Sequence, residues 1–399
     1  MAPDSSTATL PLPQKAGAFT FGTIFVIESF TRSLNVTVVS LQAYDILGSS
    51  QKVSVLATLV SFTLLLLTLM LPLLLGRLRR RWAYSLGALL LLIASLALAT
   101  NTLTGQAIGM FLRNGGSAIF HIVLSLYILD NIRRQDLARV EPIRLSMSAV
   151  SWTAGPGLGV WLYVNYGPWG TQAAVIASLA VLMAVFWYFR LSDSGASLPS
   201  GTLQPFNPLA NVRRFVSQPR LVLAWSIAFG RSCFWATFMI YGPLLIVESG
   251  LGKGMSGIVI SASQALLLAA YWSGSLARRY GVRAVLAASF CLGSAASLGA
   301  GIAGTDAPYV AIVLLLAGAL AGSALDGVGG IPFLRAVRSH ERQRMTAVYR
   351  TSIEFSDLIP PFIFAFALLR FEIGVVFVIL GLWLGVMSFV TWRYLPRSL

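Results

Sequence analysis

The sequence predicts an all-α integral membrane protein, with twelve transmembrane helices in two six-helix bundles related by a pseudo-two-fold repeat. Three observations predict it. First, the mean hydropathy is +0.77, with 56% hydrophobic and 11% charged residues over 399 positions, where a soluble domain is about 25% charged. Second, apolar runs long enough to span a bilayer recur twelve times. Third, segments of the first half return in the second at a nearly constant offset.

The runs cover 19–46, 53–75, 83–103, 108–129, 145–164, 171–189, 221–247, 258–276, 282–302, 309–334, 347–369 and 373–392. The first is the most informative. The stretch 17–48 is long enough to cross a bilayer as a helix, yet it keeps Glu28 and Arg32 near its middle. An ionised side chain there costs about 2.5 to 3.5 kcal/mol on insertion scales, so the pair is expected to face water, a partner or a solute. The remaining organisation follows from polarity. Residues 1–16 read as a disordered cytoplasmic tail without the basic region and short apolar core of a signal peptide. Residues 17–191 and 220–394 form the two bundles, 192–219 a Ser-, Pro- and Gly-containing cytoplasmic linker, and 395–399 a second cytoplasmic tail.

Charge sets the orientation. Of the 29 basic residues, 22 lie in the tails and in the linkers after the even-numbered runs, as in Arg77, Arg79, Arg80 and Arg81. The opposite linkers hold only Lys52, Lys253 and Arg370. The positive-inside rule then puts both termini in the cytoplasm of a multi-pass plasma membrane protein of the bacterial inner-membrane kind. Topology and anionic lipid headgroups account for the net charge of +15, so no nucleic-acid partner is expected. Cys233 and Cys291 sit in apolar runs with no CxxC or Cys/His spacing, which argues against disulfides and metal. No nucleotide-binding, HExxH or nucleophile motif appears in a fitting context, so neither an enzyme nor a bound cofactor is expected.

The repeat is visible in single residues. Gly76, Leu78, Arg80 and Arg81 return as Gly274, Leu276, Arg278 and Arg279 at an offset of 198; Arg32-Ser33 returns as Arg231-Ser232 at 199; Gly155-Pro156 is matched by Pro360-Pro361 at 205. Such parallel duplication places a binding site near the midplane between the halves.

In these motifs the chain resembles the major facilitator superfamily over nearly its whole length after the tail. The loop motif after the family's second helix is matched at Gly76 and Arg81, and its second copy at Gly274, Arg279, Gly281 and Arg283, while Arg80 and Arg278 replace the family's Asp. The antiporter-like signature of the fifth helix appears as SWTAGPGLGV, matched at Gly155, Pro156 and Gly159. Arg113 and the glycines after it resemble a fourth-helix Arg motif. The resemblance implies two bundles rocking about a central cavity lined by helices 1, 4, 7 and 10, which would place Glu28, Arg32, Arg113, Arg231 and Asp326 on or near it. It also implies a monomer.

Spacing adds to this. Glu28 and Arg32, and Arg350 and Glu354, are i,i+4 pairs on one helical face. Each reads equally as a structural ion pair or as a proton-coupling site. A solute competing for the Arg favours a proton on the acid, which couples the two occupancies. Proton-coupling candidates are Glu28 foremost, then Glu354, Asp357, Asp326 and His121. Arg32, Arg113 and Arg231 are candidate contacts for an anionic or zwitterionic solute, because guanidinium forks suit carboxylate and phosphate. Phe234 and Trp235, within about a turn of Arg231, are candidate stacking residues.

The expected function is secondary transport of a small organic solute, with proton-coupled efflux by antiport placed first on the fifth-helix similarity. Proton-coupled uptake of an anionic metabolite or siderophore-like compound is the alternative. A non-transporting membrane sensor or assembly partner is the alternative of another class.

Overall fold

A computed structural model describes residues 18–75, 78–131, 134–189, 208–338 and 341–396. These residues are helical with short connections. The first apolar run is interrupted: α1 (Ala18–Ser33) and α2 (Val38–Leu47) are separated by a tight turn. Asn35 sits in that turn and exchanges two 3.0 Å hydrogen bonds with Gln172, so an amide that competes with helical backbone is satisfied across the interior instead. Gly48, at φ 67°, ends α2 and donates its N–H to the Tyr44 carbonyl at 2.7 Å. α3 (Ser50–Leu75), α4 (Arg80–Ala99) and α5 (Leu103–Asn131) follow.

The two runs expected at 145–164 and 171–189 lie in α6 (Arg134–Tyr188) as two helices that meet at a break at Gly167 (φ 68°, ψ −166°), in the gap between the expected runs. Gly167 reaches a backbone region closed to other residues, and Pro168 restarts the helix after it. The expected linker contains a helix of its own, α7 (Pro208–Val216). Its Phe215 is buried with Phe333, Val337 and Met345, and its Arg214 makes a forked contact with Glu341 at 3.1 and 2.8 Å.

The second part continues with α8 (Pro219–Glu248), α9 (Lys253–Ala265), a 3-10 turn (Leu266–Ala269), α10 (Ala270–Tyr280), α11 (Val282–Ala303), α12 (Pro308–Val328), α13 (Ile331–Ala336), α14 (Arg342–Ala367) and α15 (Gly374–Tyr394). The run expected as one helix at 258–276 is bent by 47° around the 3-10 turn. That at 309–334 is divided between α12 and α13 at Gly329 and Gly330. Leu395 is 3% exposed and belongs to the core, not to a free tail.

Among the described residues, nine helices are long and apolar enough to cross a membrane, or ten if the bent pair counts as one span. The fold is therefore all-α and multi-spanning. α14 is not among the nine, since it carries Arg350, Glu354 and Asp357. One hydrophobic cluster is built wholly from residues between Ile24 and Phe186; Tyr84 lies in it, stacked between Phe120 and Phe186 with centroids 4.4 and 4.3 Å away. A second comes from residues between Ile227 and Leu395, joined by Ala43, Val53, Leu56 and Val60. The two parts meet where α6 packs on α9, α3 on α14 and α2 on α8.

Small residues make the α1–α6 contact possible. A Cβ on Gly155 would overlap the Ser33 hydroxyl, and one on Gly159 the Leu34 carbonyl. Gly159→Ala is expected to destabilise the protein by about 1 to 3 kcal/mol through overpacking, seen as a lower melting temperature in detergent. Gly254→Ala, which meets open space, is expected to leave the melting temperature unchanged.

Candidate functional site

Three charged clusters lie within the helical interior. In the first, Glu28 on α1 is fully buried and accepts a hydrogen bond from the Tyr84 hydroxyl at 3.3 Å. Arg32 approaches the same carboxylate at 3.5 Å, one turn along the helix, and its guanidinium lies 5.9 Å from the Trp152 ring centroid. Glu28 is thus held by two neighbours, while Arg32 retains 25% side-chain exposure.

In the second cluster, Arg231 on α8 pairs with Asp326 on α12 at 2.9 Å, and the Trp235 indole N–H donates to the other oxygen of the same carboxylate at 2.8 Å. Residues 231 and 235 share a helix face, so one acid collects both donors. Phe234 points to a different role from the one expected: it is 2% exposed, and its ring fills the space left by Gly318 and Gly322. It is core packing. Trp235 is partly exposed, but its N–H is committed to Asp326.

The third cluster spans both parts of the chain. Arg113 on α5 makes no hydrogen bond or ion pair among the described residues, and its Nε atom is buried without a partner. It lies within electrostatic reach of Arg32 on α1 and of Asp357 on α14. Asp357 likewise forms no ion pair among the described residues and is flanked electrostatically by Glu354 and Arg113. Arg350 and Glu354, expected as an i,i+4 pair, interact electrostatically without coming within 4.0 Å, so they do not form a closed salt bridge. Cys233 on α8 is also in reach of Asp357, which brings a fourth helix to the same place.

Arg113 and Arg32 are like charges within electrostatic reach, and in low-dielectric surroundings they repel. An anion seated between Arg32 and Arg113 would relieve that repulsion and satisfy the open guanidinium fork. In the second cluster Arg231 already has the Asp326 carboxylate as its counter-ion at 2.9 Å.

The remaining expected residues fall elsewhere. His121 is half-buried on α5, eight residues beyond Arg113. Arg81 lies in the first turn of α4, and Gly76 lies outside the described residues. Gly274 and Arg279 belong to α10, and Gly281 takes φ 85° between α10 and α11, a backbone requirement that explains a glycine at this motif position. Pro156 is buried beside the two close-packed glycines of α6.

Sequence reasoning missed a set of contacts at the end opposite the basic linkers. Asp45 on α2 accepts from Lys253 on α9 at 2.6 Å and from the Tyr163 hydroxyl at 2.5 Å. Ser50 donates to Glu248 at 2.5 Å, and the Gly157 N–H to Ser261 at 2.8 Å. All but the Tyr163 contact join the first part of the chain to the second. Asp45 and Lys253 stand out only as charges at the rims of apolar runs, and nothing in a single sequence pairs them.

The sequence profile of the Major Facilitator Superfamily matches residues 21–328. The chain belongs to this superfamily. Solved superfamily-like structures agree in fold. A D-xylose-proton symporter superposes with a TM-score of 0.76 at 12% identity, covering 95% of this chain and 98% of that one. A POT family transporter in complex with 5-aminolevulinic acid gives 0.75 at 13% identity, covering 95% and 97%. A bacterial homologue of the iron transporter ferroportin, in an inward-facing state, gives 0.70 at 14% identity, covering 96% and 100%. Compared with curated protein sequences, this superfamily member finds no significant match. The family and the fold are those of a transporter, not of a catalytic enzyme.

Proposed function

We propose that this superfamily member is a proton-coupled symporter that takes up a small organic anion, a carboxylate or phosphate compound, at a site centred on Arg113, Arg32 and Asp357. The observation that carries this reading is the unpaired Arg113 between a second Arg and a carboxylate. An anion seated on Arg113 places a second negative charge beside Asp357, and a proton on Asp357 removes that repulsion. Binding of each favours the other, a coupling of the positive kind, so anion and proton load together. Antiport would need the opposite sign, with the two occupants excluding one another. This reverses the precedence that the α6 signature gave to efflux, and the likeness to a D-xylose-proton symporter supports the reversal. A zwitterion is accommodated by the same arrangement, with Glu354 available to its cationic end. Asp357 thereby replaces Glu28 as the foremost proton carrier, since Glu28 is held by Arg32 and Tyr84.

The architecture that serves this function is twelve spans in two bundles, within residues 17–191 and 220–394. Dividing α6 at Gly167, joining α1 with α2 and α12 with α13, taking α9 with α10 as one bent span, and counting α14 gives that number. A hydrophobic cluster confined to residues between Ile24 and Phe186 supports it. Both termini are placed in the cytoplasm, in a bacterial inner membrane, and a monomer is the working unit.

The contacts around Asp45, Lys253, Ser50 and Glu248 then close the outer end of the pathway. Asp45→Asn is expected to shift the population toward outer-open by up to about fivefold, because partly exposed ion pairs contribute about 0 to 1 kcal/mol. Spin labels on α2 and α9 would report this as a longer mean separation. Direct solute binding to purified protein, by calorimetry across carboxylate, phosphate, neutral and cationic panels, tests the anion reading, and preference for a cation would reject it.

A further inference from the structure

The contact between α6 and α9, which joins the two parts of the chain, has a definite register. The Gly157 N–H donates to the Ser261 hydroxyl at 2.8 Å, and a Cβ on Gly257 would meet the Val160 side chain at 2.8 Å. As α6 advances from 157 to 160, α9 retreats from 261 to 257, so the two helices run antiparallel. Residues 153, 157 and 160 share one face of α6, and 257, 261 and 264 share one face of α9, because helical neighbours lie three or four residues apart. One turn beyond Gly157 and Ser261, away from Lys253, the same register sets Thr153 opposite Gln264.

The contact changes character at that turn. At Gly157 and Gly257 the missing side chains let the helices close on one another; beyond them both faces are polar and unsatisfied. Gln264 is 4% exposed, and its Nε2 is buried without an acceptor among the described residues. Thr153 is half-buried, and its hydroxyl makes no hydrogen bond among the described residues. A buried amide donor without an acceptor is costly, so packing alone would be served better by an apolar side chain of the same size. Trp152, the neighbour of Thr153, has its ring centroid 5.9 Å from the Arg32 guanidinium. This turn therefore borders the place proposed for the anion.

We infer that Thr153 and Gln264 form a subsite that recognises a hydroxyl group of the solute, which makes the solute a hydroxyl-bearing anion and not a plain alkyl acid. The Gln264 amide N–H donates to the hydroxyl oxygen, and the hydroxyl donates to the Thr153 oxygen. The assignment rests on the anion reading, which locates the rest of the solute beside Arg32. The test is calorimetric binding to the full-length protein in detergent, with pairs of probes that differ by one hydroxyl: lactate and propionate, malate and succinate, and the neutral pair glucose and 2-deoxyglucose. In at least one acid pair the hydroxylated member is expected to bind about tenfold more tightly, the size of one buried hydrogen bond. Gln264→Leu and, separately, Thr153→Val are expected to bring that ratio close to one. Gln264→Leu removes an unpaired donor, so it is expected to melt no lower than the unmodified protein, which separates lost recognition from lost fold. Arg113→Ala is expected to weaken both members of the acid pair alike and to keep their ratio. A preference found only in the neutral pair, lost in Gln264→Leu and indifferent to Arg113→Ala, would keep the hydroxyl subsite and reject the anion. Absence of a preference in every pair, or a preference that survives both substitutions, overturns the subsite and leaves the anion reading to the Arg113→Ala result.

Discussion

Arg113→Ala is expected to weaken solute binding by about 100-fold, because it removes a charge-assisted contact pair worth about 1.5 to 3 kcal/mol per hydrogen bond. The effect falls on binding and not on folding. Arg113 has no hydrogen bond or ion pair to lose among the described residues, and truncating it relieves its repulsion with Arg32. The variant is therefore expected to melt at or above the temperature of the unmodified protein while its calorimetric solute signal disappears. Arg113→Lys keeps the charge but not the fork, and is expected to recover part of the affinity. Arg231→Ala is the contrast. It strands Asp326 without its cation, so it is expected to cost stability more than affinity. An Arg113→Ala protein that binds solute like the parent would remove the site from this place.

Asp357→Asn is expected to abolish accumulation while sparing exchange. A pH gradient of one unit sustains about tenfold accumulation through a one-proton symporter, since one unit is 1.36 kcal/mol. Without the carboxylate the final concentration ratio is expected to fall to about one. Counterflow of labelled against unlabelled solute needs no net proton movement and is expected to persist, because Asn beside Arg113 resembles the protonated acid. Glu28→Gln is expected to behave differently. Its carboxylate is enclosed by Arg32 and Tyr84, so the change loosens α1 against α4 and lowers the melting temperature, with gradient-driven accumulation retained. Loss of accumulation in Glu28→Gln but not in Asp357→Asn would restore Glu28 as the carrier.

Much of the fold was legible because a bilayer forces it: each apolar run marks helix, and the polar stretches between mark the ends. The break at Gly167 was legible too, since it falls between the apolar runs 145–164 and 171–189. Two features were not. Asn35 interrupts the first span through a partner 137 residues away, and no local pattern announces Gln172. α7 was concealed in a polar linker, although Phe215 following Arg213 and Arg214 is the amphipathic signal that could have found it.

The site was half legible. Intramembrane charge identified the acids and arginines of the three clusters, and nearness to Arg231 identified Trp235, while Tyr84, Trp152 and Cys233 have no charge to betray them. What the sequence does not contain is which charges are satisfied. Spacing suggested a closed Arg350–Glu354 pair, yet these remain apart, while Arg231 found Asp326 on another helix. Arg113 carried the same weight as Arg32 and Arg231 until tertiary packing left it alone among them without an acid at bonding distance. The choice between symport and antiport depends on that distinction.

In the proposed symport an anion and a proton enter together through Arg113 and Asp357. The most direct test is a pH-sensitive dye trapped in proteoliposomes, with external addition of a panel of carboxylate and phosphate solutes at equal starting pH. One class of these solutes is expected to acidify the interior of vesicles holding the unmodified protein and to leave Asp357→Asn vesicles unchanged. Alkalinisation of the interior, or an equal acidification by Asp357→Asn, would contradict it.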